Sequence, residues 1–145
     1  MAVQLCCIAF FIIFVTMKHY GLIGYPLGQS ASAAYFTEKF AAEGIDSQYT
    51  LYEIDNISAL EQIRGSLSGF NVTIPYKQTV IPYLDEISEH AKKIGAVNTL
   101  VRCEGGYKGY NTDMSGLFRA MQTENIHIKG ENVLLLGAGG AARAV

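Results

Sequence analysis

Val133-Leu134-Leu135-Leu136-Gly137-Ala138-Gly139-Gly140-Ala141-Ala142 is the stretch on which the fold class turns. Four consecutive aliphatic residues read as a strand buried on both faces, as in parallel sheets. The run passes directly into Gly137-x-Gly139-x-x-Ala142, the order of strand, tight turn and helix that a dinucleotide fingerprint requires. In such a loop Gly137 permits the turn, Gly139 lets backbone N–H groups approach a pyrophosphate, and Ala142 keeps helix and strand close. The start of the helix adds partial positive charge for phosphates. By itself the same pattern also fits a glycine-rich turn between any strand and helix.

Toward the N-terminus, short β-type runs alternate with helical periods, which argues an α/β fold. Residues 19–24 read as a strand stopped by Tyr25-Pro26 and a turn at Gly28. Ser30 and Ser32 are placed to cap a helix over 33–43, with Gly44 as its stop. A strand over 48–54 follows, then a short helix opened by Ser58-x-x-Glu61 and ending at Gly65. Residues 70–74 form a third strand closed by Pro75. Helical stretches are expected near 76–84, bent or broken at Pro82, and over 86–94, stopped by Gly95. Strands over 96–103 and 107–111 join through Gly105-Gly106, and a helix over 113–122 precedes a polar link.

Composition narrows the function classes. The 145 residues carry 11 basic and 13 acidic side chains, for a formal charge of -2, and no Lys/Arg stripe marks a nucleic-acid binder. Of three cysteines, Cys6 and Cys7 are adjacent and Cys103 stands apart, which gives neither a disulfide framework nor a C-x-x-C pair and suits a reducing cytoplasm. The three histidines lack partners at ligand spacing, so no metal site is read. The apolar run Leu5–Val15 is 11 residues long, short of the roughly 20 that span a bilayer. The first cation, Lys18, comes after that run, against the order of a secretory signal. Residues 1–16 are therefore expected to be an extension outside the fold, with Met17 as the working start and no membrane partner.

Three further segments hold polar groups in chemically useful places. In Asn71-Val72-Thr73-Ile74-Pro75-Tyr76-Lys77, Asn71 and Thr73 share a strand face, and Lys77 sits in the first turn after the proline. A lone lysine is most often a solvated surface charge. Gly95-Ala96-Val97-Asn98-Thr99 and Gly109-Tyr110-Asn111-Thr112-Asp113 place Asn98 and Asn111 where each could offer an amide to a polyol, although turn chemistry accounts for both. Asp113 also suits a helix cap.

Taken in order, Gly-x-Pro-Leu-Gly-x-Ser-x-Ser, Asn-Val-Thr-Ile-Pro-Tyr-Lys, Gly-Ala-Val-Asn-Thr, Asn-Thr-Asp and Gly-Ala-Gly-Gly-Ala-Ala resemble the shikimate dehydrogenase family over residues 18–145. The resemblance implies a mixed-sheet substrate-binding domain with flanking helices, followed by the first βα unit of a truncated Rossmann domain. Its boundaries would be a catalytic domain over 17–112, a connecting helix over 113–125 and the start of an NADP-binding domain over 126–145. It implies Lys77 and Asp113 as the catalytic pair, with Lys77 transferring the proton. It implies Ser30 and Ser32 for the substrate carboxylate, Thr73, Asn98 and Asp113 for ring hydroxyls, and Asn71 in support. Gly137, Ala138, Gly139, Gly140 and Ala141 would form the phosphate loop.

The activity so implied is the reversible NADP-dependent reduction of 3-dehydroshikimate to shikimate, in the route to aromatic amino acids. The cofactor would be NADP(H), with NAD left open because the selecting residue lies roughly 20 positions beyond the loop. The partner would be the small-molecule substrate, the enzyme a monomer or a homodimer. Chemistry agrees with these roles. Carbonyl reduction needs a hydride on one face and a proton for the oxygen that becomes negative, and an ammonium group stabilises that oxygen and then donates. Gln29, Ala33, Phe36 and Thr37 depart from the family, which usually has His, Pro and often His-Asn there. With one βα unit the chain is expected to be inactive alone. The alternatives are a quinate-using relative and a non-catalytic fragment that at most binds substrate.

Overall fold

The computed structural model describes residues 17–28 and 30–144; the expected extension over 1–16 and the departure at Gln29 lie outside the described residues. Six strands, β1 Lys18–Gly24, β2 Ser47–Glu53, β3 Gly69–Val72, β4 Glu86–Ile87, β5 Thr99–Cys103 and β6 Gly106–Tyr110, form one mixed sheet. Their order is β2-β1-β3-β5-β6-β4. β1 runs parallel to both β2 and β3, β5 is antiparallel to β3 and β6, and β4 is parallel to β6. Helices α1 Ser32–Glu43, α2 Leu60–Ile63, α3 Glu89–Ile94 and α4 Asp113–Thr123 complete the fold.

The alternation of a strand's side chains separates two cores. Ile23 joins Leu60, Val72, Val80 and Leu100 in the larger cluster, whereas its neighbour Leu22 joins Leu27 and Tyr49 in a smaller one roofed by Phe36 and Phe40 of α1. Burial of these side chains contributes about 1.5–3 kcal/mol each and pins the register of the sheet. At the end of α1 the Gly44 N–H bonds back to the Ala41 carbonyl with φ at +64°, the left-handed stop expected from its sequence position.

Several expected elements come out differently, each for a local reason. No regular α-helix forms over 76–84. Successive turns lead to a single 3-10 turn at Ile81–Tyr83, since Pro82 has no N–H to donate into a helix. The helix expected over 86–94 begins only at Glu89, because Ser88 caps it by accepting from the Ala91 N–H, and Glu86–Ile87 is drawn into the sheet beside β6. The short helix after β2 is capped by Asn56, whose side chain accepts from the Ser58 N–H, rather than by Ser58. Ala31 rather than a serine stands at the cap of α1, with no side-chain bond there; Ser30 Oγ accepts from the Ser32 N–H at 3.3 Å. β5 starts at Thr99 instead of residue 96. The β5–β6 loop is Glu104-Gly105, with Gly106 already paired to Cys103.

The largest difference lies in the aliphatic run and its glycine loop. Val133–Leu136 is extended but unpaired, with Leu134 82% and Leu136 85% exposed, and the glycine loop is followed by a single 3-10 turn, Ala142–Ala144. A strand exists only beside a partner, and among the described residues none stands next to this one.

Candidate functional site

Lys77 lies in the turns beyond β3, which ends at Val72 rather than running on to Ile74 and Pro75 as expected. Its own carbonyl accepts from the Val97 N–H at 2.7 Å, which ties this turn to the segment leading into β5. Asp113 is the first residue of α4, and its N–H donates to Asn111 Oδ1 at 2.9 Å. Asn111 Nδ2 donates to the Ala96 carbonyl at 3.0 Å. Both ends of the Asn111 amide thus help to fix the start of α4. Held this way, Lys77 Nζ and Asp113 Oδ2 meet at 2.6 Å although 36 residues separate them, with side chains only 15% and 28% exposed.

Asn98 holds the other carboxylate oxygen. Its Nδ2 donates to Asp113 Oδ1 at 2.8 Å and to Thr112 Oγ1 at 3.0 Å, and its Oδ1 accepts from the Thr112 N–H at 3.0 Å. Asn71 lies one layer behind. Its Nδ2 donates to Thr99 Oγ1 at 3.1 Å and to the Asn98 carbonyl at 3.3 Å, and its Oδ1 accepts from the Tyr49 hydroxyl at 2.9 Å. Burial, moderated by the neighbouring Ser32 hydroxyl, pushes the Tyr49 phenol up to about 12.

Thr73 joins two hollows. One, of about 320 Å³, is lined by Ser30, Ser32, Thr73 and Ile74; the other, of about 500 Å³, by Thr73, Lys77, Gln78 and the loop residues Gly139, Gly140 and Ala141. A β-carbon built on Gly140 would come within 3.0 Å of the Lys77 stem, so glycine is what lets the loop approach this closely. The structure thus brings Ser30, Ser32, Thr73, Lys77, Asn98 and Asp113 to one region, sets Asn71 behind them, and leaves Gly137 and Ala138 outside the hollow that Lys77 lines. Tyr49, Thr99 and Thr112 join the site without having been expected from the sequence. The signal for Thr99 and Thr112 was their place beside Asn98 and Asp113, whereas nothing local marks Tyr49, which reaches Asn71 only through strand pairing.

An α/β domain with a shielded lysine–carboxylate pair beside a hollow that carries a few hydroxyl groups has the make-up of a small-molecule binding domain. A family model for the shikimate dehydrogenase substrate binding domain matches residues 22–100, and the chain belongs to that family. It is 44% identical over 133 residues to the shikimate dehydrogenase (NADP(+)) of Geobacillus kaustophilus, covering 88% of this chain and 48% of that protein. The crystal structure of shikimate dehydrogenase from Aquifex aeolicus superposes with a TM-score of 0.82 at 36% identity, covering 92% of this chain and 52% of the other. Shikimate 5-dehydrogenase from Thermus thermophilus, in complex with NADP(H) and shikimate, gives 0.79 at 35% identity, with 89% and 50% covered. The chain spans about half the length of these relatives. Among the described residues no helix is long and apolar enough to cross a membrane.

Proposed function

We propose that the chain is the substrate-binding and proton-transferring half of an NADP-dependent shikimate dehydrogenase, which interconverts 3-dehydroshikimate and shikimate. The observation that carries this reading is Thr73, which stands between a two-serine hollow and the Lys77–Asp113 pair and so measures out one small ligand, with a carboxylate at one end and a reacting carbonyl at the other. In this reading Ser30 and Ser32 donate hydroxyl hydrogens to the carboxylate. Thr73 offers its hydroxyl to a ring hydroxyl, Asn98 and Asp113 exchange internal hydrogen bonds for such bonds, and Asn71 supports from behind. Buried hydroxyls must be paired, and these groups supply both donors and acceptors. NADPH would supply the hydride.

Lys77 Nζ stabilises the oxygen that becomes negative and passes it a proton, while Asp113 Oδ2 fixes the ammonium group in place. Gly139, Gly140 and Ala141 fit the approach of a phosphate-bearing group, since they border the hollow that Lys77 lines and the two glycines have no β-carbon. The unpaired state of Val133–Leu136 supports the further reading that residues 126–145 begin a nucleotide-binding domain but do not form a working cofactor site by themselves.

Titration of shikimate into the 145-residue chain, followed by amide NMR, tests the proposal. Shifts concentrated at Ser30, Ser32, Thr73, Lys77, Asn98 and Asp113, with weaker binding of quinate, are expected. Absence of saturable shifts there would overturn it. With NADP added, no NADPH absorbance should develop.

A further inference from the structure

Tyr49 lies on β2, at the far edge of the sheet from β5, yet it heads a hydrogen-bond chain that runs to the Lys77–Asp113 pair. Tyr49 OH donates to Asn71 Oδ1, Asn71 Nδ2 donates to Thr99 Oγ1, Thr99 Oγ1 donates to Asn98 Oδ1, and Asn98 Nδ2 donates to Asp113 Oδ1. Every donor points the same way, toward a carboxylate that only accepts. Fixed backbone groups impose this direction. The Thr112 N–H can only donate and faces Asn98 Oδ1, while the Asn98 carbonyl can only accept and faces Asn71 Nδ2. Aligned bonds of this kind polarise one another.

We infer that the Tyr49 hydroxyl is a positioning group for the Asn98–Asp113 arm of the site. Among the described residues it supplies the hydrogen bond to Asn71 Oδ1. Without it that acceptor stays unpaired or turns away in search of a donor, and the turn withdraws Asn71 Nδ2 from Thr99 and from the Asn98 carbonyl. Tyr49 is itself tightly held: it is 8% exposed, and its ring stacks on Phe36 at 4.5 Å between centroids.

The consequence for ligand affinity rests on the shikimate reading; the positioning itself does not. The test is Tyr49→Phe in the 145-residue chain, which keeps the ring and its stack on Phe36. The readouts are the Asn98 side-chain NH2 resonances and shikimate titration. The Asn98 NH2 protons should shift and exchange with water about tenfold faster, and shikimate should bind about tenfold more weakly, as befits the loss of one hydrogen bond. Phe36→Leu, which loosens the same apolar cluster but spares the hydroxyl, should lower the melting temperature and leave those protons in place. Unchanged Asn98 NH2 protons in Tyr49→Phe would overturn the inference, whatever happens to stability. Unchanged shikimate affinity in a variant whose amide has moved would overturn the consequence for affinity and leave the positioning standing. If the wild-type chain binds no shikimate but the amide still responds, the positioning role is supported and the shikimate reading fails.

Discussion

Lys77 and Asp113 are held by backbone as much as by each other. The Lys77 carbonyl is bonded to the Val97 N–H and the Asp113 N–H to Asn111, so neither side chain must search for its partner. On the proposed dehydrogenase reading, Lys77→Met in a chain of the relatives' full length should leave the fold intact and cut kcat by roughly a thousandfold, with a much smaller change in KM, as checked by steady-state kinetics. Tyr49 gives a pH prediction. Its phenol is raised to about 12 in the folded chain against about 10 when unfolded, so the folded state keeps its proton longer. The resulting stability is fully present below about pH 10 and is lost as pH rises through about 12. Urea unfolding between those limits should show stability falling with pH, and Tyr49→Phe should flatten that slope. That Lys77, Asn98 and Asp113 lie together was foreseen only through the ordered set of motifs, since each residue alone reads as a surface charge, a turn amide or a helix cap. Tyr49 was not, since strand register rather than spacing delivers it to Asn71.

At the scale of elements, caps and stops carry measurable weight. Ser88 is the side-chain cap of α3, and Ser88→Ala should cost about 1 kcal/mol in chemical denaturation. Gly44 has φ at +64° and open space where a β-carbon would stand, so Gly44→Ala tests backbone strain without a clash. It should cost about 1 kcal/mol, and Gly44→Asn should recover part of that. Five of the six strands were readable from alternation and β-branched or aromatic content. The sixth, Glu86–Ile87, is two residues long, and it is a strand only because β6 lies alongside. The helix near 76–84 misled for the opposite reason. Its apolar spacing was adequate, but Pro82 and the pull of Tyr76 and Val80 into the larger core leave turns instead.

Across the whole molecule, apolar surface is divided unevenly. The sheet buries its aliphatic residues on both faces, whereas Val133, Leu134, Leu135 and Leu136 stand 49–85% exposed in a row. Unpaired apolar runs of this kind promote self-association. Leu134→Lys combined with Leu136→Lys should raise the concentration at which the chain stays monomeric in sedimentation experiments, and shikimate affinity should not change. The fold class was legible from the alternation of short β-type runs with helical periods ahead of this stretch, and not from the stretch by itself. What the stretch did not convey was its own unpaired state, which depends on neighbours rather than on its residues.

The separation of the site's parts along the chain has a kinetic consequence. Ser32, Thr73 and Asp113 come from three distant segments, and the Lys77–Asp113 contact ties the turn after β3 to the start of α4. A ligand that bridges them recognises the finished molecule and nothing earlier. At roughly a hundredfold excess over its dissociation constant it would add about 2.7 kcal/mol to equilibrium stability. If these segments meet only after the folding transition state, nearly all of that gain appears as slower unfolding with refolding unhurried, and stopped-flow unfolding with and without ligand checks it.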